Sequence, residues 1–229
     1  KELYSSLIVV CLFFVVVGNS YGSSYIVIDL GSLGGNPDYS TGKKINNSSQ
    51  ITGNSFNSLD LNRGYLYYND VMTDIGSLGA IGWMDASTAE GINDSGQIVG
   101  WSYQSNGAKR AFLYQNSQMV ELGALSIGGG SGDSRAYDIN NAGLIVGTSW
   151  NNSIRNDRAV LFLLDGTPMD LGVSASANAK ARAINDSNQI VGEIQYGNYQ
   201  GDPTQLTHDS FLYKNGEIII LGNLGGGYS

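Results

Sequence analysis

The chain repeats one sequence unit four times, and this repetition constrains its fold more than any other feature. The nine-residue segments INNSSQITG, INDSGQIVG, INNAGLIVG and INDSNQIVG begin at isoleucines spaced 47, 47 and 45 residues apart, at Ile45, Ile92, Ile139 and Ile184. A period of this length is typical of arrays and propellers built from one supersecondary unit. We therefore expect four equivalent units, at about 40–80, 86–125, 134–173 and 179–226.

Each unit contains four short segments with strand character. The Asn-Asp-Ser-Gly type of stretch after each isoleucine is turn chemistry, so Glu90–Asn93 and Gln97–Tyr103 should pair as a hairpin. Lys109–Gln115 and Gln118–Leu122 should form a second hairpin across the turn at 116–117. No window has apolar residues at helical spacing for three turns, so negligible helix is expected outside residues 1–22.

Both faces of the predicted strands are apolar. In the strand at 110–114, Ala111 and Leu113 lie on one face and Phe112 and Tyr114 on the other, because side chains alternate along a strand. Such a sheet must be covered on both sides, as when sheets stack face to face. The predicted fold is all-β, a β-propeller-like array of four-stranded antiparallel blades, with an open β-solenoid as the alternative.

One glycine recurs inside the second predicted strand of every unit. Glycine in a strand interior often marks a place where another backbone approaches closely. We expect neighbouring blades to touch at these structural repeat positions, which are Gly53, Gly100, Gly147 and Gly192.

Three sequence blocks resemble the HAF repeat of bacterial extracellular proteins. They are Ile-Asn-x-x-Gly-Gln-Ile-Val-Gly, Ala-Phe-Leu-Tyr and Asp-Leu-Gly-x-Leu-Gly-Gly, and the resemblance covers residues 29–226. It implies propeller-like β repeats in a secreted protein, and it implies no particular activity. The name-giving histidine is replaced in every unit, by Arg63, Arg110, Arg158 and Asp209.

Residues 1–22 have the pattern of a secretory signal peptide. The apolar run at 7–17 is too short to span a bilayer, which needs about 20 apolar residues, and Ser20 and Gly22 fit the small-residue rule for cleavage. We expect a secreted, extracellular or cell-surface protein with no membrane span in its mature chain. Its single cysteine, Cys11, lies inside the predicted leader, so no disulfide is expected.

The predicted repeat domain, 25–229, begins with an isolated block. Residues 25–30 match only the fourth strand of a unit and are expected to form a lone strand. The end of the chain, LGNLGGGYS, resembles the segment at 30–40 that leads into further structure. These observations predict a piece of a larger ring of five or more blades, which alone is an open arc with exposed apolar end faces.

Composition excludes several kinds of chemistry. With one His and one Cys, the chain lacks the residues for zinc fingers or His-ligated metal clusters, so we predict no metal site and no cofactor. The net charge of −8 argues against a nucleic-acid partner.

His208, Asp209 and Ser210 are consecutive and point to alternate faces, so they cannot form a catalytic relay. One carboxylate recurs near the end of the last strand block, at Asp29, Asp74, Glu121 and Asp170. We expect these side chains to be solvated or to form hydrogen bonds, and not to bind Ca²⁺.

The units differ mainly between their second and third strands. The segments at 54–62, 104–109, 151–157 and 195–208 vary in length and sequence, and variable loops on a rigid scaffold usually carry recognition. The candidate ligand contacts in these loops are Trp150, Tyr196, Tyr199 and His208. Aromatic rings beside Asn and Gln amides are typical of surfaces that bind sugars or peptides. The sequence therefore predicts a secreted, non-catalytic binding or surface-display module for an extracellular glycan or protein, with a hydrolase or lyase on a propeller scaffold as the alternative.

Overall fold

The computed structural model describes residues 25–125, 132–174, 176–196 and 207–222. In these ranges the chain forms sixteen strands, and its helical content is one 3-10 turn at Gly82–Met84. The predicted all-β class is confirmed. The predicted signal peptide at 1–22 lies outside the described residues, as does Tyr199.

The strands form four antiparallel sheets, each a meander in chain order. Sheet 1 contains β1 (Ser40–Ile45), β2 (Ile51–Phe56), β3 (Asn62–Tyr68) and β4 (Val71–Asp74). Sheet 2 contains β5 (Ser87–Ile92), β6 (Ile98–Tyr103), β7 (Lys109–Gln115) and β8 (Gln118–Glu121). Sheet 3 contains β9 (Ser134–Ile139), β10 (Ile145–Asn151), β11 (Asn156–Phe162) and β12 (Pro168–Asp170). Sheet 4 contains β13 (Asn178–Ile184), β14 (Ile190–Tyr196), β15 (Thr207–Lys214) and β16 (Glu217–Gly222).

Both hairpins predicted for the second unit are present. β5 pairs with β6 and β7 pairs with β8, although β5 begins three residues before the predicted Glu90. The difference at β5 reflects Ser87 and Thr88, polar residues that the hydrophobic pattern did not assign to a strand. Both are buried, because the preceding sheet covers this strand.

The sheets stack in chain order like propeller blades. The first strand of each later sheet packs on the second and third strands of the sheet before it, and successive first strands also contact one another. Val99 of sheet 2 therefore shares a core with Ala136 and Val160 of sheet 3. This stacking explains the apolar residues on both faces, and the fold is a propeller-like array of four-stranded antiparallel blades.

Residues 25–32 form no strand, in contrast to the lone strand predicted at 25–30. The side chains of Tyr25, Ile26 and Val27 are 91%, 85% and 97% exposed. A strand needs a hydrogen-bonded neighbour, and no described strand pairs with this segment. Hydrogen bonds tie the end of this segment to sheet 1: Ser40 Oγ donates to the Gly31 carbonyl at 2.6 Å, and the Leu33 N–H donates to Ser55 Oγ at 2.9 Å.

The repeated glycines are approached by their own sheet, and not by the neighbouring blade as predicted. A Cβ placed on Gly100 would lie 1.9 Å from the carbonyl oxygen of Thr88 in the adjacent strand β5. The register of β5 against β6 shifts between Ala89 and Gly91, which is a β-bulge. The same close approach by the first strand of the sheet occurs at Gly53, Gly147 and Gly192. A bulge bends its strand locally, and here it brings a carbonyl against a position that only glycine can occupy.

Candidate functional site

The stacked sheets have two chemically different ends. The turn end carries the short Asn turns that join the first and second strands of each sheet, and the loop end carries the connections between the second and third strands. The candidate site is at the loop end. The turn end is rich in polar residues, and these bind one another.

A ladder of asparagine side chains links the sheets at the turn end. Asn93 Oδ1 accepts the N–H groups of Ser95 and Gln97 at 3.1 and 3.0 Å, which closes the turn. Its Nδ2 donates to the carbonyl oxygen of Asn140 in the next sheet at 3.1 Å. Asn46 and Asn140 make the equivalent bonds to the carbonyls of Asn93 and Asn185, at 2.9 and 3.1 Å. Sequence reasoning assigned these residues to turns and missed their second role between sheets.

The following residue of each turn forms a parallel chain of hydrogen bonds. The N–H groups of Asn47, Asp94 and Asn141 each donate to a side-chain oxygen of the next unit at 2.9 Å. Hydrogen bonds from Asn47, and a further one from Asn141, hold the pKa of Asp94 below its usual range. A depression of about 260 Å³ at this end also contains an ion pair between Lys44 Nζ and Asp138 Oδ1 at 3.0 Å. These polar groups satisfy one another, so we assign the turn end a structural role.

A cavity of about 420 Å³ opens at the loop end of sheet 3. Its lining comes from three adjacent strands and the residues that flank them: Asp133, Arg135, Thr148, Trp150, Asn152 and Asp157. Trp150 lies opposite Asp157 in the β10–β11 ladder, and the backbone N–H of Trp150 donates to the Asp133 carbonyl at 2.8 Å. Arg135 lies opposite Thr148 in the β9–β10 ladder. The sheet register therefore brings together residues that are far apart in sequence.

The cavity includes a position at which sheet 3 has a small residue and sheet 2 a large one. In sheet 2, the position equivalent to Thr148 is Trp101, which packs edge-on against Tyr103 with ring centroids 5.6 Å apart. Lys109 Nζ and the Arg135 guanidinium lie 5.0 and 5.6 Å from the centre of the Trp101 ring. Thr148 has no ring to fill the corresponding space, and its Oγ1 instead reaches the Ala179 carbonyl of sheet 4 at 3.4 Å.

The cavity contains a partly desolvated carboxylate. Burial raises the pKa of Asp157, and the charge of Asp133 raises it further, whereas Lys180 and Arg135 lower it. The pKa of Asp157 is thus set by burial and by neighbouring charges. Among the described residues, no hydrogen bond reaches its carboxylate. Arg135 Nε is buried without a hydrogen-bond partner in the same ranges. Trp150 Nε1 donates to Asn152 Oδ1 at 2.9 Å, which orients the indole.

The three predicted ligand contacts within the described residues do not converge on one site. Trp150 lines the cavity, but Tyr196 packs against the core between sheets 3 and 4. His208 is exposed on β15, opposite Gln195, and Tyr199 lies outside the described residues. Asp157 falls in the variable segment 151–157 and was within reach of sequence reasoning. Asp133 and Arg135 gave no such signal, because they are outside the variable segments. Asp133 precedes β9, and Arg135 lies on it.

The arginines at the equivalent position of the first three units have structural partners. Arg110 Nε lies 3.2 Å from Glu121 Oε1, and Arg158 Nε lies 2.8 Å from Asp170 Oδ2. Arg63 pairs with Asp74 at 3.7 Å. The predicted strand-end carboxylates at 74, 121 and 170 thus bind the arginine of their own sheet. In sheet 4 neither partner of this pair is present: Asp209 replaces the arginine, and Ile220 replaces the carboxylate.

In the described ranges, no group of three or more His, Cys, Asp or Glu side chains could hold a metal ion. The same part of the chain contains no helix with the length and apolar character needed to cross a membrane.

Comparison with known proteins identifies one similarity. A family model described as a protein of unknown function (DUF3466) matches residues 128–224, which include sheets 3 and 4 but amount to less than half of the chain. Comparison with curated proteins finds no match, and neither does comparison with solved structures.

Proposed function

We propose that this protein is a secreted, non-catalytic binding module that contacts an extracellular ligand at its loop end. One observation carries the proposal: the cavity of about 420 Å³ at that end contains an indole ring, two carboxylates and a guanidinium. Ligand sites are commonly concave and combine apolar walls with a few polar groups that orient the ligand. The volume lies within the range of about 300–1,000 Å³ that is usual for such sites.

The contrast between the two ends supports this assignment. At the turn end, equivalent residues of successive units bind each other, and the same pattern repeats from sheet to sheet. At the loop end the units differ, and equivalent positions hold Trp101 in one sheet and Thr148 in the next. Recognition residues are usually found on variable loops held by a rigid scaffold. The resemblance to HAF repeats of extracellular proteins supports the proposed location outside the cell.

Binding to arrays of extracellular glycans and proteins tests the proposal. The loop-end variant replaces residues 151–157 with the shorter loop at 104–109. The control variant replaces the turn at 165–166, between β11 and β12, with the turn at 116–117. We expect the wild-type chain and the control to bind the same ligand and the loop-end variant to lose it. Equal binding by both variants, or no binding by the wild-type chain, would contradict the proposal.

A hydrolase or lyase is the second candidate function, and the carboxylates of the same cavity favour it. Asp133 and Asp157 both line the cavity, and burial raises the pKa of Asp157. Paired carboxylates in different environments are the acid–base arrangement of glycoside hydrolases. Release of reducing ends from a bound glycan, abolished by Asp157→Asn, would favour this function over simple binding.

A further inference from the structure

The loop-end cavity presents charges of both signs to a ligand. Asp133 and Asp157 are negative, Arg135 is positive, and Lys180 adds a second positive charge that acts on Asp157. An anionic ligand would face two carboxylates, and a cationic ligand would face a guanidinium. In a partly desolvated site each of these encounters is unfavourable. The arrangement therefore favours a neutral ligand.

The Asp157 carboxylate is available for hydrogen bonding to a ligand, and Arg135 lines the cavity beside it. Arg110 and Arg158 each form an ion pair with a carboxylate, at 3.2 and 2.8 Å. In the described ranges neither Arg135 nor Asp157 forms such an ion pair, and no hydrogen bond reaches the Asp157 carboxylate. The Arg135 guanidinium forms a side-chain hydrogen bond with Tyr137. An ionised carboxylate only accepts hydrogen bonds and a guanidinium only donates them. A ligand that satisfies both must donate and accept, and hydroxyl groups do both.

Trp150 adds an apolar surface of fixed orientation. Its indole N–H is bound to Asn152 Oδ1 at 2.9 Å, so the ring is held in one orientation. An aromatic ring contributes a large flat apolar surface at small entropic cost. A sugar ring has a complementary shape, with C–H groups on one face and hydroxyls around its edge.

We propose that this cavity binds a neutral saccharide residue, with its C–H face on Trp150 and its hydroxyls on Asp157 and Arg135. The inference rests on the proposed function, because it concerns the same cavity, and it names the chemical class of the ligand. It makes Asp157 an acceptor for hydroxyl groups and Arg135 a donor to them. The occupants excluded by the proposal are an oligocation and an oligoanion.

Titration of the purified chain with defined oligosaccharides tests the inference. The neutral probes are cellohexaose, laminarihexaose, mannohexaose and chitohexaose. Hexalysine is the cationic probe and hexagalacturonate the anionic one. We expect at least one neutral probe to bind, as measured by calorimetry and by shifts of the Trp150 indole resonance, and the charged probes to bind at least about tenfold more weakly.

Substitutions then locate the binding. Trp150→Ala and Asp157→Asn should each lower the affinity for the neutral saccharide by about tenfold or more. This corresponds to the loss of one good contact. Trp83→Ala is the matched control, since Trp83 is 78% exposed and lies on the 3-10 turn away from the cavity. Asp157→Asn keeps the side-chain shape, so its thermal unfolding should stay cooperative with a midpoint at or above that of the wild type.

Three outcomes would overturn the inference. One is tighter binding of a charged probe than of every neutral one. Another is saccharide binding that survives both cavity substitutions. The third is the absence of any neutral-saccharide binding at millimolar concentration. If the chain nevertheless binds a protein ligand through its loop end, the proposed binding function stands and only the saccharide class is wrong.

Discussion

At the residue scale, the glycine inside β2 shows how little space this fold leaves between strands of one sheet. A Cβ on Gly53 would lie 1.8 Å from the Thr41 carbonyl oxygen, whereas a Cβ on its cross-strand partner Gly42 would be 3.7 Å from its nearest neighbour, Tyr65 Oη. Gly53→Ala should therefore lower the free energy of unfolding by about 1–3 kcal/mol. Gly42→Ala should change it by no more than about 1 kcal/mol. Urea unfolding measures both, and equal midpoints would show that the bulge relaxes.

The pair formed by Arg63 and Asp85 makes stability depend on pH. Two hydrogen bonds, at 3.0 and 2.7 Å, join their side chains, and they hold the pKa of Asp85 below its usual range. A lowered pKa in the folded state adds stability above the unfolded value, and that stability is lost as the pH falls through the folded value. Asp85→Asn should cost about 1–3 kcal/mol at neutral pH, and the cost should shrink in acid. A difference that stays constant down to about pH 3 would contradict this.

The charge of Asp157 should affect the pH dependence of stability in the opposite direction. Burial raises its pKa, so the folded state binds the proton more tightly than the unfolded state does. Its charge therefore opposes folding at neutral pH, and this penalty disappears as the pH falls below the unfolded value. Asp157→Asn should leave the thermal midpoint at neutral pH unchanged or raise it, and this gain should vanish in acid. A lower midpoint for the variant at neutral pH would show that Asp157 has a stabilising partner.

At the scale of elements, the Asn turns join each sheet to the next. Asn93 is 3% exposed and makes both the bonds that close its own turn and the bond to Asn140. Asn185 closes its turn in the same way and is exposed, and among the described residues its side chain makes no bond to another sheet. Asn93→Ala should therefore destabilise the fold by about 1 kcal/mol more than Asn185→Ala.

Denaturant unfolding of these two variants isolates the bond between sheets, because both lose the same bonds within the turn. Equal losses would show that stacking depends on the apolar cores alone. A larger loss for Asn93→Ala would show that a single side chain contributes both to the hairpin and to the stacking.

At the scale of the whole molecule, the outward face of sheet 4 is apolar, and no other described sheet packs on it. Val99 and Val146 are 0% exposed because the next sheet packs on them, but the equivalent Val191 is 42% exposed. Leu212 and Ile219 lie beside Val191 in the same row of the ladder, and Ile219 is 45% exposed. A contiguous apolar face of this kind usually marks an association surface.

The 229-residue chain by itself should consequently self-associate. Light scattering at micromolar concentration should give a mass above that of one chain, and the double variant Val191→Lys with Ile219→Lys should reduce it. Leu164→Lys is the control, since Leu164 is 91% exposed in a turn of sheet 3, outside this face. A monomeric wild-type chain would contradict the prediction.

The sequence by itself determined the architecture, because the interactions that specify it are local and repeated. Turn chemistry at each Asn turn and at 116–117 sets the hairpins, and apolar residues on both strand faces require stacked sheets. The observed units begin and end within a few residues of the predicted ones. Residues 25–30, which match the last strand of a unit, form no strand without a paired neighbour, because strand propensity alone does not supply a partner for the backbone.

Only the tertiary structure decided where the candidate site lies. The cavity depends on which side chain fills the space between two blades, and in the sequence Thr148 looks like any other strand residue. Asp133 and Arg135 reach Trp150 through the sheet register, and the desolvation that raises the pKa of Asp157 comes from the surrounding sheets. The sequence pattern reports local conformation and the need for burial, but the sizes and charges that meet across an interface are properties of the packed molecule.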